Sequence, residues 1–503
     1  MALLRFVAYA VGDYGLSQVV IVGAGNAAMC AALSAREQGA SVTVLERAPE
    51  NQKGGNSAFT GAAFRVAYNG VADLLEVVPD LTTAEQENSD FGEYTQSQYF
   101  DDLARLSQYR MDAELGEILV SDSLDTLVWM RRYGVRFVPI YGRQAFKVDG
   151  RFHFWGGLTV EVSGGGRGLV DSLHAAAGRQ GIEILYGARA ISLVMDGQTT
   201  TGVKVIKDGH FLTLEADAVI LASGGFHANA EWRARYLGEN WDLAKVRGSR
   251  FNTGDGIRMA LDVGAQPYGH WSGCHAVAYD RNAPEFGELD LLGQQKNGFP
   301  FGIMVNARGE RFFDEGADFR NYTYSKLGKA ILEQPGGIAW QVFDQRVAHL
   351  LSDEYRIRQI TRVEAATLEE LAAKLEDVDS TGFLRTVAHF NASVRDTVAF
   401  NPNVKDGRST DGLETPKSNW ANPLDTPPFI AFGVACGITF TFGGLRIDSD
   451  SRVLTPEGDL IRNLYAAGEL VGGLYYVSYP GGAGLMSGSV FGRRAGAHAA
   501  RGC

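Results

Sequence analysis

Two glycines separated by one residue, Gly23 and Gly25, end the apolar run Val19 to Val22 and open an Ala-rich helical pattern. A second apolar run, with Val42, Val44 and Leu45, stops at Glu46. The pattern predicts strand, turn, helix, strand. Gly23 permits the tight turn, Gly25 lets a pyrophosphate approach the backbone, and Ala28 is small enough for the helix to pack on its strand. The start of the helix then offers unpaired N–H groups to phosphate. Glu46, roughly twenty residues beyond the glycines, is placed to accept hydrogen bonds from an adenosine ribose, and its charge would repel a 2′-phosphate. The expected ligand is a dinucleotide, with NADP disfavoured. A Gly-rich turn in another doubly wound sheet would explain the glycines but not Glu46 in register with them.

Two further strands run into glycine turns: Ala218 to Ala222 into Ser223-Gly224-Gly225, and IRNLYAAGELVGG through Ala467-Gly468-Glu469. Glycines in YPGGAGLMSG then introduce a helix from about Ala483 to Ala497. Three such turns exceed what a nicotinamide site needs, whereas a long FAD reaching across the sheet needs them. Residues Gly54 to Gly70 are small and polar, with Asn56, Ser57 and Thr60 as donors able to pass close to a planar ligand. A plain surface loop explains that segment equally well.

These turns require a supporting sheet and a cover. Helical patterns occupy 95 to 133 and about Gly168 to Gln180, followed by a short strand from Ile182 to Leu185 and two hairpin-like segments. Residues 141 to 168 mix Tyr141, Arg143, Lys147, Arg151, His153, Trp155 and Arg167 with glycines. That composition suits anion binding, although a solvated charged loop is the commoner explanation. Residues 266–430 form an insertion with its own strand and turn (FGIMVNARGERFFDE), helical patterns near 325–333 and 367–376, and Pro416, Pro423, Pro427 and Pro428 at its exit. A cap closing over a flavin would exclude water from the reacting face. The expected fold is α/β: a Rossmann-like FAD-binding domain from 18–265 and 431–503, with an inserted α+β capping, substrate-binding domain at 266–430.

With 503 residues, 45% of them hydrophobic, the chain can bury a large core. Its formal charge of -12 disfavours nucleic acid and anionic membrane, so an anionic substrate needs a local basic pocket. Cys30, Cys274, Cys436 and Cys503 are scattered, with no Cys-x-x-Cys, so no iron–sulfur or c-type haem signature is present and no metal is expected. Electrons must then pass to a separate acceptor protein or a quinone-linked partner. Sparse cysteines fit a reducing cytosol, and no apolar run approaches the roughly 20 residues of a membrane span, so the expected location is cytoplasmic. The opening MALLRFVAYAV reads as a short extension.

Together these residues resemble the flavoprotein family of soluble fumarate reductases and succinate dehydrogenase flavoprotein subunits. The resemblance is carried by Gly23-x-Gly25 with Glu46, Gly54-Gly55-Asn56-Ser57, Thr253-Gly254-Asp255-Gly256, Val305-Asn306 with Gly309-x-Arg311-Phe312, Glu315 with Arg320, Gly443-Gly444, Ala467-Gly468-Glu469 and Gly481-Gly482. It covers nearly the whole chain beyond residue 17. It implies FAD held by Gly23, Gly25, Asn26, Ala27, Glu46, Arg47, Gly55, Asn56, Ser57, Ala190, Ala222, Ser223, Gly224, Asp255, Gly468, Glu469, Gly484 and Leu485. Within the family, EGADFRNYTYSK, GHWSGCHAV, GITFTFGGL and VSYPGGAGLMSG are most similar to FAD-dependent tricarballylate dehydrogenases, which oxidise a tricarboxylate to cis-aconitate. Two departures argue against fumarate itself. The family's His pair is replaced by Thr439 and Phe440, and its Arg before the late Gly-Gly by Tyr479-Pro480. No His stands near Asn56-Ser57-Ala58, where the covalent-flavin subunits carry one, so FAD is expected to be non-covalent.

Desaturating a CH–CH bond beside a carboxylate needs hydride transfer from one carbon to the flavin and loss of a proton from its neighbour to a base. The resemblance makes Arg320 that base. A guanidinium resists deprotonation, so Glu315 and Asp318 are the expected relay. Tyr322 and Tyr479 are the alternatives if Arg320 only clamps substrate. By the same resemblance His275 and Thr441 bind substrate and Gln295 lies near a family Glu. Arg65, Lys147 and Arg151 are further possible clamps. The expected activity is dehydrogenation of a small polycarboxylate, tricarballylate to cis-aconitate in type. The alternatives are a desaturase or ene-reductase on a bulkier keto substrate, since Tyr479-Pro-Gly-Gly is similar to a segment of 3-ketosteroid dehydrogenases, a soluble fumarate reductase-like enzyme, or a non-catalytic flavin electron-transfer subunit.

Overall fold

The computed structural model describes residues 17–155 and 157–502; the N-terminal stretch read as an extension and Cys503 lie outside the described residues. At its centre five parallel strands lie in the order Glu183–Tyr186, Ser41–Glu46, Gln18–Val22, Ala218–Leu221 and Leu460–Ala466. Val19 to Val22 and Ala218 to Leu221 are buried throughout, as parallel strands covered on both faces must be. Chain segments separated by some 240 residues in sequence therefore meet in one sheet. The hairpin strands Arg189–Asp196, Thr199–Lys207 and His210–Glu215 extend its edge, joined through Thr199 and Arg462.

Helix Asn26–Glu37 is buried from Asn26 to Ala35, because the sheet covers one side and the C-terminal helix Ala483–Arg501 the other. The close approach depends on missing side chains. A Cβ on Gly492 would come within 2.4 Å of the Ala27 carbonyl oxygen, and one on Gly496 within 2.1 Å of that of Ala31. Asn26 locks the pair further, its Nδ2 donating to the Leu485 carbonyl and to Ser489 Oγ, both at 2.9 Å.

The second large sheet is built on one 17-residue strand, Phe429–Leu445. It pairs antiparallel with Pro267–Asp280, Ile338–Phe343 and Arg362–Ala365, and parallel with Lys245–Val246. Residues 431–445 thus lie in the same sheet as the inserted segment. Its register sets His275 opposite Phe440 and Cys274 opposite Thr441, next to an irregularity between His275 and Ala276 that re-aims the side chains. Helix Arg320–Leu332 packs on this sheet so tightly that a Cβ on Gly328 would lie 2.6 Å from Ala276. Phe319, just before the helix, stacks on Trp155 at 4.6 Å.

Several elements differ from their expected bounds. The helix expected from Gly168 begins at Gly165, and the one expected near 325 begins at Arg320. The basic stretch 141–168 is not one loop: Ala145–Val148 and Arg151–Phe154 form a hairpin, followed by the strand Val160–Val162. Helix Ser380–Ser393, unforeseen in the sequence, buries Phe383, Val387 and Phe390 against the cap core. Among the described residues no helix is long and apolar enough to cross a membrane.

Candidate active site

One cavity runs from the ends of the parallel strands to the underside of the second sheet, and the expected cofactor residues all line it. Gly23 has φ +109°, and a Cβ there would sit 2.4 Å from the Ala222 carbonyl oxygen, so this glycine is required by the fold. Gly25 is different. A Cβ would meet only Gly54 O and Ser57 Oγ at 3.4 Å, so the space above it is left for a ligand. Glu46 is buried, and its carboxylate accepts from Ala48 N at 2.7 Å and Ala24 N at 3.1 Å. Burial raises its pKa and those backbone donors oppose the rise. Arg47 reaches Thr253 Oγ1 at 2.6 Å and Asp255 at 3.1 Å, and Arg189 holds Asp255 from the other side at 3.0 Å.

The cradle fits FAD on its own evidence. The buried Ser223 hydroxyl has no partner, and Glu469 directs its Oε1 away into three donors: Thr441 N at 2.8 Å, His227 Nδ1 at 3.0 Å and Thr441 Oγ1 at 3.2 Å. Helix Asn26–Glu37 points its first turn at the same floor, with Asn26 N donating to Ser57 Oγ at 3.0 Å. Gly23, Gly25, Glu46, Ser223 and Glu469 would hold the nucleotide along its length.

Beyond the cradle the cavity is lined by Arg320, His275 and Tyr479, together with Arg143, Arg247, Gln295, Asn297 and Tyr324. The His275 ring is buried, its two nitrogens have no partner, and burial, reinforced by the charge of Arg247, pulls its pKa well below the usual range, so it is neutral. Its ring lies 4.7 Å from that of Tyr324 and 4.9 Å from that of Tyr479. The two tyrosine hydroxyls are 3.0 Å apart. Burial raises both their pKa values, that of Tyr479 strongly. Arg320 donates to the Arg143 carbonyl, and burial pulls its pKa down to about 10, with Glu354 opposing and Arg143 reinforcing the shift.

Four expectations need correction. Tyr322 lies outside the cavity lining; its hydroxyl donates to Asp102 at 2.7 Å. Thr441 also lies behind the wall, its hydroxyl engaged with Glu469. Glu315 is fully buried against Arg311, accepting from its Nε at 3.2 Å and from Met304 N at 2.8 Å, while Asp318 pairs with Arg105 at 2.9 Å. Neither makes an ion pair with Arg320, and the carboxylate whose charge bears on it is Glu354. Of the further clamps, Arg65 bonds Gly481 O and Tyr94 OH at 2.9 Å each, Arg151 bonds Ser89 O at 3.0 Å, and Lys147 lies over Phe152, all outside the cavity lining.

Sequence reasoning missed Arg247, Tyr324, Asn297 and Glu354, and took Arg143 only as part of a basic loop. Two glycines flanked by strands announce themselves locally, whereas these residues are assembled by long-range pairing.

A doubly wound sheet carrying a glycine-lined dinucleotide cavity under a second, capping sheet defines a flavin-dependent oxidoreductase. The chain belongs to the family described as FAD binding domain, whose model matches residues 18–485. It is an FAD-dependent enzyme acting on CH–CH groups, which sets aside the non-catalytic alternative. A probable fumarate reductase of Shewanella frigidimarina is 29% identical over 98% of this chain and 76% of its own. The 4-oxocyclohexanecarboxylate 2-dehydrogenase of Sinomonas cyclohexanicum is 30% identical over 92% of this chain and 89% of its own. The fold is shared with a 3-ketosteroid delta1-dehydrogenase from Sterolibacterium denitrificans, at a TM-score of 0.74 and 21% identity over 97% of this chain and 100% of that one.

Proposed function

We propose that the enzyme dehydrogenates a CH–CH bond beside a carboxylate in a small polycarboxylic acid, tricarballylate in type, and passes the electrons to a separate acceptor. The observation that carries this reading is a pair of arginines, Arg247 and Arg320, lining one cavity, neither with an ion-pair partner among the described residues, in a chain whose overall charge is -12. An anion entering there gains a cation at Arg247 and N–H donors at Arg320.

Bound FAD supplies the hydride acceptor. Arg320 takes the neighbouring proton: burial pulls its pKa from the ordinary guanidinium value of 12.5 down to about 10, which enlarges its deprotonated fraction at neutral pH. Tyr324 and Tyr479, with raised pKa values, stay protonated and donate hydrogen bonds to substrate oxygen rather than removing protons. Neutral His275 orients substrate without adding charge. Residues 266–430 act as the cap that excludes water. The Gly54–Thr60 segment contains neither His nor Cys, which supports non-covalent FAD. The free cysteines Cys30, Cys274 and Cys436 favour a reducing, cytoplasmic setting.

A bulkier keto substrate is the second reading, favoured by the Tyr324–Tyr479 hydroxyl pair, which can grip a carbonyl oxygen. A steady-state assay with an artificial dye acceptor separates the two. Tricarballylate should reduce the dye and yield an alkene, while cyclohexanone should not; the reverse result establishes the keto reading instead.

A further inference from the structure

The segment that carries Tyr479 enters the cavity wall from a strained turn. Val477 has φ +62° and is, among the described residues, the only β-branched one with a positive φ. Ser478 N donates to Tyr476 O at 2.5 Å, closing a three-residue turn over Val477, a form that is rare because it is strained. Such a conformation persists only where its surroundings hold it. The backbone donor of Val477 goes to a side chain: Val477 N donates to His270 Nδ1 at 3.0 Å. The His270 ring stacks on Tyr476 at 5.8 Å and stands opposite Phe442 in the strand register, and a Cβ on Gly273 would lie 2.1 Å from its Nδ1. Burial lowers the His270 pKa and the charges of Lys329 and Arg110 add to the shift, so Nδ1 keeps its lone pair at neutral pH. Beyond the turn, Ser478 Oγ lies 2.7 Å from Ser325 Oγ and Gly481 N donates to Asn321 O at 2.8 Å. Both flanks of Tyr479 are thereby tied to helix Arg320–Leu332, which also carries Tyr324.

We propose that His270 is a positioning residue for Tyr479: by accepting from Val477 N it holds the strained turn that keeps the Tyr479 hydroxyl aimed into the cavity, 3.0 Å from that of Tyr324. The proposal rests on the reading of Tyr479 as a donor to substrate oxygen, and it holds for a carboxylate or a ketone alike. Without the acceptor, Val477 leaves its positive φ, and the rotation displaces the hydroxyl two residues on. Glycine at this position meets no such penalty and keeps the turn without help from His270.

Stopped-flow bleaching of the FAD-loaded enzyme at saturating tricarballylate tests this. His270→Phe, which keeps a planar ring but offers no acceptor, should slow bleaching by about 10- to 100-fold, the cost of a lost hydrogen bond and a misplaced donor. Flavin content and thermal midpoint check folding, and His270→Leu carries the same comparisons if His270→Phe loses flavin. His270→Asn, whose amide oxygen supplies an acceptor, should recover most of the rate, as should Val477→Gly in the His270→Phe background. In Tyr479→Phe enzyme, adding His270→Phe should cost less than about twofold more, because the hydroxyl that His270 positions is gone. A wild-type rate in His270→Phe, equal losses with and without the Tyr479 hydroxyl, or no rescue by Val477→Gly overturns the positioning role alone. A wild-type rate in Tyr479→Phe overturns the donor reading of Tyr479 and this proposal with it. Should cyclohexanone bleach the wild-type enzyme and tricarballylate not, the polycarboxylate reading falls, and the same comparisons made with cyclohexanone decide the role of His270.

Discussion

Substitution of Arg320 tells a base from a clamp. Loss of a positioned base typically costs about 100- to 10,000-fold, so Arg320→Ala should slow substrate-driven flavin bleaching by that order in stopped flow at saturating substrate. Arg320→Lys should also fail, because an ammonium lacks the planar fork. Bleaching near the wild-type rate, with only weakened binding, would make Arg320 a clamp. The pH profile supplies a second reading of the same residue. A base with pKa about 10 gives a bleaching rate that rises about tenfold per pH unit from neutrality and levels near pH 10. A flat profile from pH 7 to 9 contradicts that. At this scale the sequence was a partial guide. It pointed to Arg320, His275 and Tyr479, but chose Tyr322 where Tyr324 lines the cavity. Two residues apart on a helix is a turn of about 200°, so the two rings face opposite sides, and only the packing of helix Arg320–Leu332 decides which is which.

Among elements, the first helix and the C-terminal helix form the frame of the cradle, and two glycine substitutions distinguish frame from ligand contact. Gly25→Val should fold with a thermal midpoint near that of the apoprotein yet retain no FAD, since its side chain enters space left open for pyrophosphate. Gly492→Leu should lose both stability and flavin, because its side chain collides with the Ala27 carbonyl and forces the helices apart. Differential scanning calorimetry of flavin-stripped protein and flavin absorbance of the purified variants check both. Gly25→Val with full flavin would show that the pyrophosphate lies elsewhere. The strand–turn–helix unit was legible because its pattern is local. The cap sheet was not, since the long strands Pro267–Asp280 and Phe429–Leu445 are paired over more than 150 residues and their mixed composition shows no clean alternation.

For the molecule as a whole, a net charge of -12 around an arginine-lined cavity sets two opposing fields. Ionic strength should therefore weaken binding of a polycarboxylate, and a substrate constant indifferent to salt would point to an uncharged substrate. Acid precipitation should release the flavin to the supernatant; yellow colour kept in the pellet would show a covalent link. The most direct measurement is anaerobic titration of the oxidised, FAD-loaded enzyme with tricarballylate, with flavin absorbance and the organic product followed together. The expected result is stoichiometric bleaching with one new carbon–carbon double bond per flavin reduced. Bleaching by a cyclic ketone in place of the polycarboxylate, with the acid leaving the flavin oxidised, would contradict the assignment of a carboxylate dehydrogenase.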